Sequence, residues 1–201
     1  MKTLPGNVRV VLLTLVALVL FGAGYFFLVH KKAPTVSGPD QSPSKPPVSG
    51  VSLGGSTTKP ETNLYSNLKG SKDHTTFITA LQVAELLPVL QSKGPLTIFA
   101  PSNLAFGKLS PEVVQSLFKP EHKSKLVELL NYHIVPGKYA STDLKDGMKL
   151  KTVEGSELVL SQKDGAWWIN GTTKIEVADV FSTNGVAHTV SMVLTVPAVT
   201  P

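Results

Sequence analysis

Thr97-Ile98-Phe99-Ala100-Pro101-Ser102-Asn103-Leu104-Ala105-Phe106 reads as a strand that turns into a helix. Thr97 to Ala100 is a run of β-branched and aromatic residues with the length of a short buried strand. Pro101 has no N–H to give to a ladder, so the strand is expected to stop there. Ser102 or Asn103 supplies an oxygen for the free amides of a new helix. Leu104, Ala105 and Phe106 begin that helix and Gly107 keeps it short. Both ends of the corner are apolar, so Phe99 and Phe106 are expected in the core on either side of Pro101.

Working outward, Asp73 is expected to cap a helix from His74 to about Leu87, with Phe77, Ala80, Leu81 and Ala84 on one face. Pro88 should break or kink it, and Gly94-Pro95 turns the chain into the Thr97 strand. Ser110-Pro111 opens a helix towards Phe118, and Pro120 opens another with Leu126, Leu129 and Leu130 facing inwards. Tyr132-His133-Ile134-Val135 reads as a strand closed by Pro136-Gly137. Period two then dominates, in Met148–Val153, Glu157–Gln162, Ala166–Ile169 and Lys174–Val177. Asp164-Gly165 and Asn170-Gly171 between these runs are hairpin signals. Asn184-Gly185 precedes a last strand, Val186 to Val196. Helices followed by an antiparallel meander make an α+β domain, helices packed against a β-sheet sandwich or wedge, over residues 61–198.

The N-terminal part is of another kind. Val10 to Val29 carries no charge and has the ~20 apolar residues that span a bilayer. Gly22-Ala23-Gly24 has the small-x-small form of a processing site, but a cut there would leave Tyr25 to Val29 as an exposed apolar terminus. We therefore expect an uncleaved signal anchor at 10–29 behind a cytoplasmic segment at 1–9, and a secreted product only if the anchor is removed. Flanking charges, Lys2 and Arg9 on one side and Lys31 and Lys32 on the other, lean towards a cytoplasmic N-terminus. Residues 30–60 are rich in Pro, Gly and Ser with no apolar periodicity, and are expected to form a disordered tether.

The net charge of +5 does not mark a nucleic-acid binder. Lys2, Arg9, Lys31, Lys32, Lys45 and Lys59 face only Asp40 and Glu61 in the appendage, whereas the remainder is nearly neutral and has no Arg. It therefore lacks the residue favoured for bidentate phosphate and guanine contacts. No cysteine is present, so disulfides and thiolate chemistry are excluded. The histidines form no His-x-x-x-His pair, and there is no Gly-x-Ser-x-Gly elbow or phosphate loop. We expect no enzyme, no metal site and no cofactor.

The opening stretch resembles the first signature of the fasciclin domain family, Thr-x-Phe-Ala-Pro-(Thr/Ser)-(Asn/Asp)-x-Ala-Phe. The matching residues are Thr97, Phe99, Ala100, Pro101, Ser102, Asn103, Ala105 and Phe106. Tyr132-His133 resembles the family's Tyr-His motif. Asn184, Gly185, Val186, His188, Val193 and Leu194 match its closing signature, with Ser191 where Asp is common. The resemblance covers roughly Thr62 to Pro197 and implies the fasciclin-like fold. It also implies an extracytoplasmic module of adhesion or surface and matrix interaction, membrane-anchored or secreted; with the run at 10–29 this gives a single-pass plasma-membrane protein with the C-terminal domain extracytoplasmic. In animal members the Tyr-His region is associated with integrin binding, and Asp179-Val180 aligns with the Asp-Ile pair of short integrin-recognition motifs. Candidate contact residues are therefore Tyr132, His133, Asp179 and Val180; Tyr132 and His133 read first as core groups with satisfied polar tips, and Asp179 equally as a turn or capping residue. Trp167 and Trp168 are adjacent in a strand, so one faces away from the core and could stack on a sugar or a partner. A module binding polysaccharide or a small apolar ligand is the alternative. Asn170-Gly171-Thr172 fits the N-glycosylation pattern.

Overall fold

The computed structural model describes residues 50–196. The anchor expected at 10–29, the segment 1–9 and the tether up to residue 49 lie outside the described residues. Among those described, no helix is long and apolar enough to cross a membrane.

Strands β1 (Ser52–Leu53) and β2 (Ser56–Thr57) form a small hairpin. Then come α1 (Leu64–Gly70), a 3-10 turn (Lys72–His74), α2 (Thr75–Val83) and α3 (Leu87–Gln91). Strand β3 (Leu96–Pro101) leads into α4 (Asn103–Gly107), followed by α5 (Pro111–Leu117), a 3-10 turn (Pro120–His122) and α6 (Lys123–Tyr132). The remainder is β4 (Ile134–Pro136), β5 (Lys149–Lys151), β6 (Glu157–Lys163), β7 (Ala166–Ile169), β8 (Thr173–Ser182) and β9 (Gly185–Val190).

Seven strands form one sheet in the order β4-β3-β9-β8-β7-β6-β5. It curls until its edges meet, where the Val153 N–H donates to the Ile134 carbonyl at 2.8 Å. Every neighbouring pair is antiparallel except β3–β9, which runs parallel from Leu96 opposite Gly185 to Pro101 opposite Val190. The parallel pair is the wall between two cores, as parallel strands covered on both faces usually are. Ile98, Ala100 and Ala187 point to the helix side, with Leu64, Leu68, Phe77, Leu81, Leu126 and Leu130. Phe99 and Val190 point into the curled sheet, with Leu158, Leu160, Ile169, Ile175 and Leu194. Phe106 belongs to the helix-side core, so the two Phe of the opening corner lie in different cores.

Several expected boundaries are corrected. Residues 50–60, expected as tether, fold onto the domain: Leu53 is 2% exposed and joins the helix-side core. The expected helix from His74 to Leu87 is a 3-10 turn and two helices. Ser71, not Asp73, is the cap, its Oγ accepting the Asp73 N–H at 3.3 Å. The chain breaks at Glu85, whose φ is 60°, and Pro88 starts α3 rather than ending α2, because its missing N–H costs nothing in a first turn. Strand β3 runs through Pro101, with the Ser102 N–H reaching the Val190 carbonyl at 3.4 Å. Tyr132 and His133 are not strand residues; Tyr132 ends α6, and the His133 N–H still donates to Leu130 at 3.0 Å. Strand β8 extends to Ser182, beyond the expected Val177. The last strand ends at Val190 instead of Val196, because Ser191 closes the ladder through its amide and hydroxyl, both bonded to the Lys174 backbone.

Candidate functional site

The residues of the opening corner are spent on its construction. The Thr97 hydroxyl donates to the Gly137 carbonyl (2.8 Å) and accepts the Tyr139 N–H (2.9 Å). Ser102 caps α4 by accepting the Ala105 N–H (3.2 Å). Asn103 ties α4 to the start of α2, its Oδ1 accepting the Thr76 N–H and its Nδ2 donating to the Lys72 carbonyl, both at 2.9 Å. At the other end of the sheet, Asn184 accepts the Leu64 N–H (2.9 Å) and donates to the Leu90 and Ser92 carbonyls (2.8 Å each). Gly185 follows where a Cβ would lie 1.9 Å from the Leu96 carbonyl oxygen, so only glycine lets β9 start against β3.

Among the described residues, three histidines have no exposed surface: His74, His133 and His188. His133 Nε2 accepts the Leu194 N–H (2.9 Å), which leaves Nδ1 to donate to the Leu129 carbonyl (2.7 Å). It thereby closes the end of α6 and fastens the chain after β9. Burial lowers its pKa to about 4, against a smaller opposing effect of the Leu129 carbonyl. His188 is the mirror case: Nδ1 accepts the Asp179 N–H (3.3 Å) and Nε2 donates to the Tyr139 carbonyl (2.8 Å). Its ring stacks on Phe99 at 5.6 Å, and burial again lowers its pKa. His74 bridges Ser71 Oγ (2.9 Å) and Thr189 Oγ1 (3.2 Å); burial lowers its pKa to about 4, with Asp73 opposing. Neutral, donor-and-acceptor imidazoles fit all three positions.

The candidate contact residues divide by exposure. Tyr132, His133 and Val180 have no exposed surface. The Tyr132 hydroxyl donates to the Glu157 carbonyl (3.4 Å) and accepts from Asn170 Nδ2 (3.0 Å). The side-chain amide nitrogen that the glycosylation pattern singles out is thus engaged with Tyr132, and Asn170 Oδ1 accepts the Val159 N–H (2.9 Å). Asp179 is half-buried in a β8 bulge with φ 63°; its Oδ1 accepts the Ser141 N–H (2.7 Å) and its Oδ2 the Ser141 hydroxyl. Trp167 and Trp168 are both half-buried, on opposite faces of β7. Trp167 packs on the core inside the sheet, while Trp168 pairs with Ser161 and Lys174 and donates from Nε1 to the Lys163 carbonyl (3.4 Å). The structure thus brings Asp179 to His188 and Tyr132 to Asn170. Ser141 and Tyr139 complete the Asp179–His188 network without any local sequence signal, because their partners lie 38 and 49 residues away.

Comparison with known proteins bears on this arrangement. A fasciclin domain model matches residues 72–197. Protein sll1483 of Synechocystis sp. is 39% identical over 128 residues, covering 64% of this chain and 70% of that protein. Human periostin is 33% identical over 143 residues; the match takes in 70% of this chain and 17% of periostin, so the chain corresponds to a small part of that protein. The FAS1 domain pair from the insect cell adhesion molecule fasciclin I matches with a TM-score of 0.61 at 18% identity, over 67% of this chain and 51% of that one. That last likeness is one of fold.

Proposed function

The chain belongs to the fasciclin domain family, and from that premise we propose that it is a membrane-tethered, extracytoplasmic module of adhesion or surface interaction. Residues 10–29 hold it in the plasma membrane as a single-pass anchor, residues 30–49 give it reach, and the folded domain from residue 50 onward meets a protein or polysaccharide on another surface. The observation that carries this reading is that the buried polar side chains are satisfied internally. Among the described residues, no buried side-chain nitrogen or oxygen lacks a hydrogen-bond partner. Groups so committed hold the fold rigid and leave recognition to the exterior. In this reading Tyr132, His133, Asp179 and Val180 keep the surface in shape. The description of the insect neighbour as part of a cell adhesion molecule agrees with it.

A polysaccharide partner is the second reading. It is favoured by Trp168, which lies half-exposed on the outer face of the sheet beside Ser161 and Lys174, an amphipathic platform suited to stacking on a sugar ring.

The test is to express the full chain in cells and compare it with a form lacking 50–196. External protease should remove the domain from intact cells, and adhesion to matrix-coated or cell-coated surfaces should require the domain. Full protection from protease would overturn the orientation, and equal adhesion of the two forms would overturn the function. Loss of adhesion to glycan-coated surfaces alone on Trp168→Ala would establish the second reading.

A further inference from the structure

A cavity of about 170 Å³ opens between the N-terminal hairpin, the 3-10 turn before α2, the start of α4 and strand β8. It is smaller than the ~300–1,000 Å³ of pockets that hold whole small molecules, and is suited to one inserted side chain. Leu53, Val177 and Leu104 supply the apolar part of a mixed lining. Leu104 is 81% exposed, the extreme case among the exposed large hydrophobic residues described. His74 lies at the floor with its ring nitrogens engaged by Ser71 and Thr189, and Asn103 is engaged with α2, so these polar groups have already found partners inside the domain. Asp73 and Glu176 are different. Both line the cavity, both are exposed, and neither carboxylate has an ion-pair or hydrogen-bonding partner among the described residues. Among the described residues, no Lys or Arg lines the cavity. A second groove, between α5 and α6, is larger at about 400 Å³ but offers Glu112 together with Lys125, and so no net sign.

We propose that this cavity is the docking point for a basic side chain of a protein partner, a Lys or Arg flanked by aliphatic residues. The alkyl stem would run along Leu53 and Val177, the cation would lie between Asp73 and Glu176, and a neighbouring aliphatic side chain would cover Leu104. Long cationic side chains combine an apolar stem with a charged tip in this way. An exposed Leu beside uncompensated charge is the composition of a binding anchor with a charged rim. The inference deepens the adhesion reading by giving the partner's chemistry.

The probe is the peptide acetyl-Leu-Lys-Leu-amide, titrated into the ¹⁵N-labelled full chain in detergent micelles and followed by amide chemical shifts, with acetyl-Leu-Ala-Leu-amide as control. Shifts are expected at residues 53–54, 73–74, 103–104 and 176–177 with the Lys peptide only, and should fade at high salt. Leu104→Ala, and Asp73→Asn combined with Glu176→Gln, should each weaken binding about tenfold, the scale of a lost anchor or charge partner. All three substitutions are at exposed positions, so thermal melts should be unchanged, and the spectrum itself reports folding. Equal binding of the Ala peptide, unchanged affinity in the carboxylate variant, or shifts centred on the α5–α6 groove would overturn the proposal. Self-association lost in the same variants would overturn it too, by making a second copy the occupant. If the parent chain adheres and these variants adhere equally, the docking site fails while the adhesion reading stands. If the peptide binds as described but the chain adheres to nothing, the adhesion reading fails alone.

Discussion

Strands β3 and β9 and strands β5 to β7 belong to one sheet, yet they do different work. Along β9 every residue is buried, and along β3 all but Leu96. The outer strands alternate: Leu150, Leu158 and Leu160 face in, while Lys149, Lys151, Glu157 and Val159 face out. All three buried histidines are tied to the central region, through Thr189, through the segment after β9, or from within β9 itself. The outer ribbon holds its place by hairpins and one hydrophobic face. The difference teaches that the recognition signatures of this family lie where two cores share a wall. Successive side chains there fill opposite cores, so the strand as a whole answers to both sides, which leaves few alternatives.

That contrast can be broken most severely at Phe99. Its ring fills the core inside the sheet and stacks on His188. Phe99→Ala should cost about 3–5 kcal/mol, a large share of the ~5–15 kcal/mol that holds a domain together. A urea melt of the full chain in micelles would measure it, and a loss below about 1 kcal/mol would show that the wall is not where stability resides.

Acid should act on the same region. His74 and His133 have folded-state pKa values of about 4, below the ~6.5 of an unfolded histidine. Their contribution is thus fully present above pH ~6.5 and is lost as pH falls towards 4, because the unfolded chain binds protons that the fold refuses. Between pH 5.5 and 4.5 the two sites together should remove roughly 2–3 kcal/mol. The Leu194 and Asp179 amides, which donate to histidine ring nitrogens, should lose hydrogen-exchange protection before the amides of β6 and β7. Simultaneous loss in the outer strands would contradict this order.

The smallest effect is expected outside. Val159 is exposed on β6, opposite Lys149. Val159→Ser should change stability by no more than about 0.5 kcal/mol. A larger loss by thermal melt would mean that the outer face is covered in the full chain.

The sequence by itself determined a strand-to-helix corner around Pro101, the Ser110 cap and the succession of helices before strands, and it narrowed the cap of α4 to Ser102 or Asn103. It also determined the hairpins at Asp164-Gly165 and Asn170-Gly171. Each depends on residues a few positions apart: a hydroxyl within reach of free amides, an apolar run beside a capping residue, a turn that needs positive φ. Only the tertiary structure decided the rest. The parallel pairing of β3 with β9 joins residues nearly ninety positions apart, and no local pattern announces it. Tyr132 reads as strand from its β-branched neighbours but is helical, because α6 packs Leu126, Leu130 and then Tyr132 into buried positions. Residues 50–60 read as tether from composition, yet Leu53 finds a place in the helix-side core. Hydrophobic burial is settled by which surfaces meet, and a linear pattern does not state which surfaces those are.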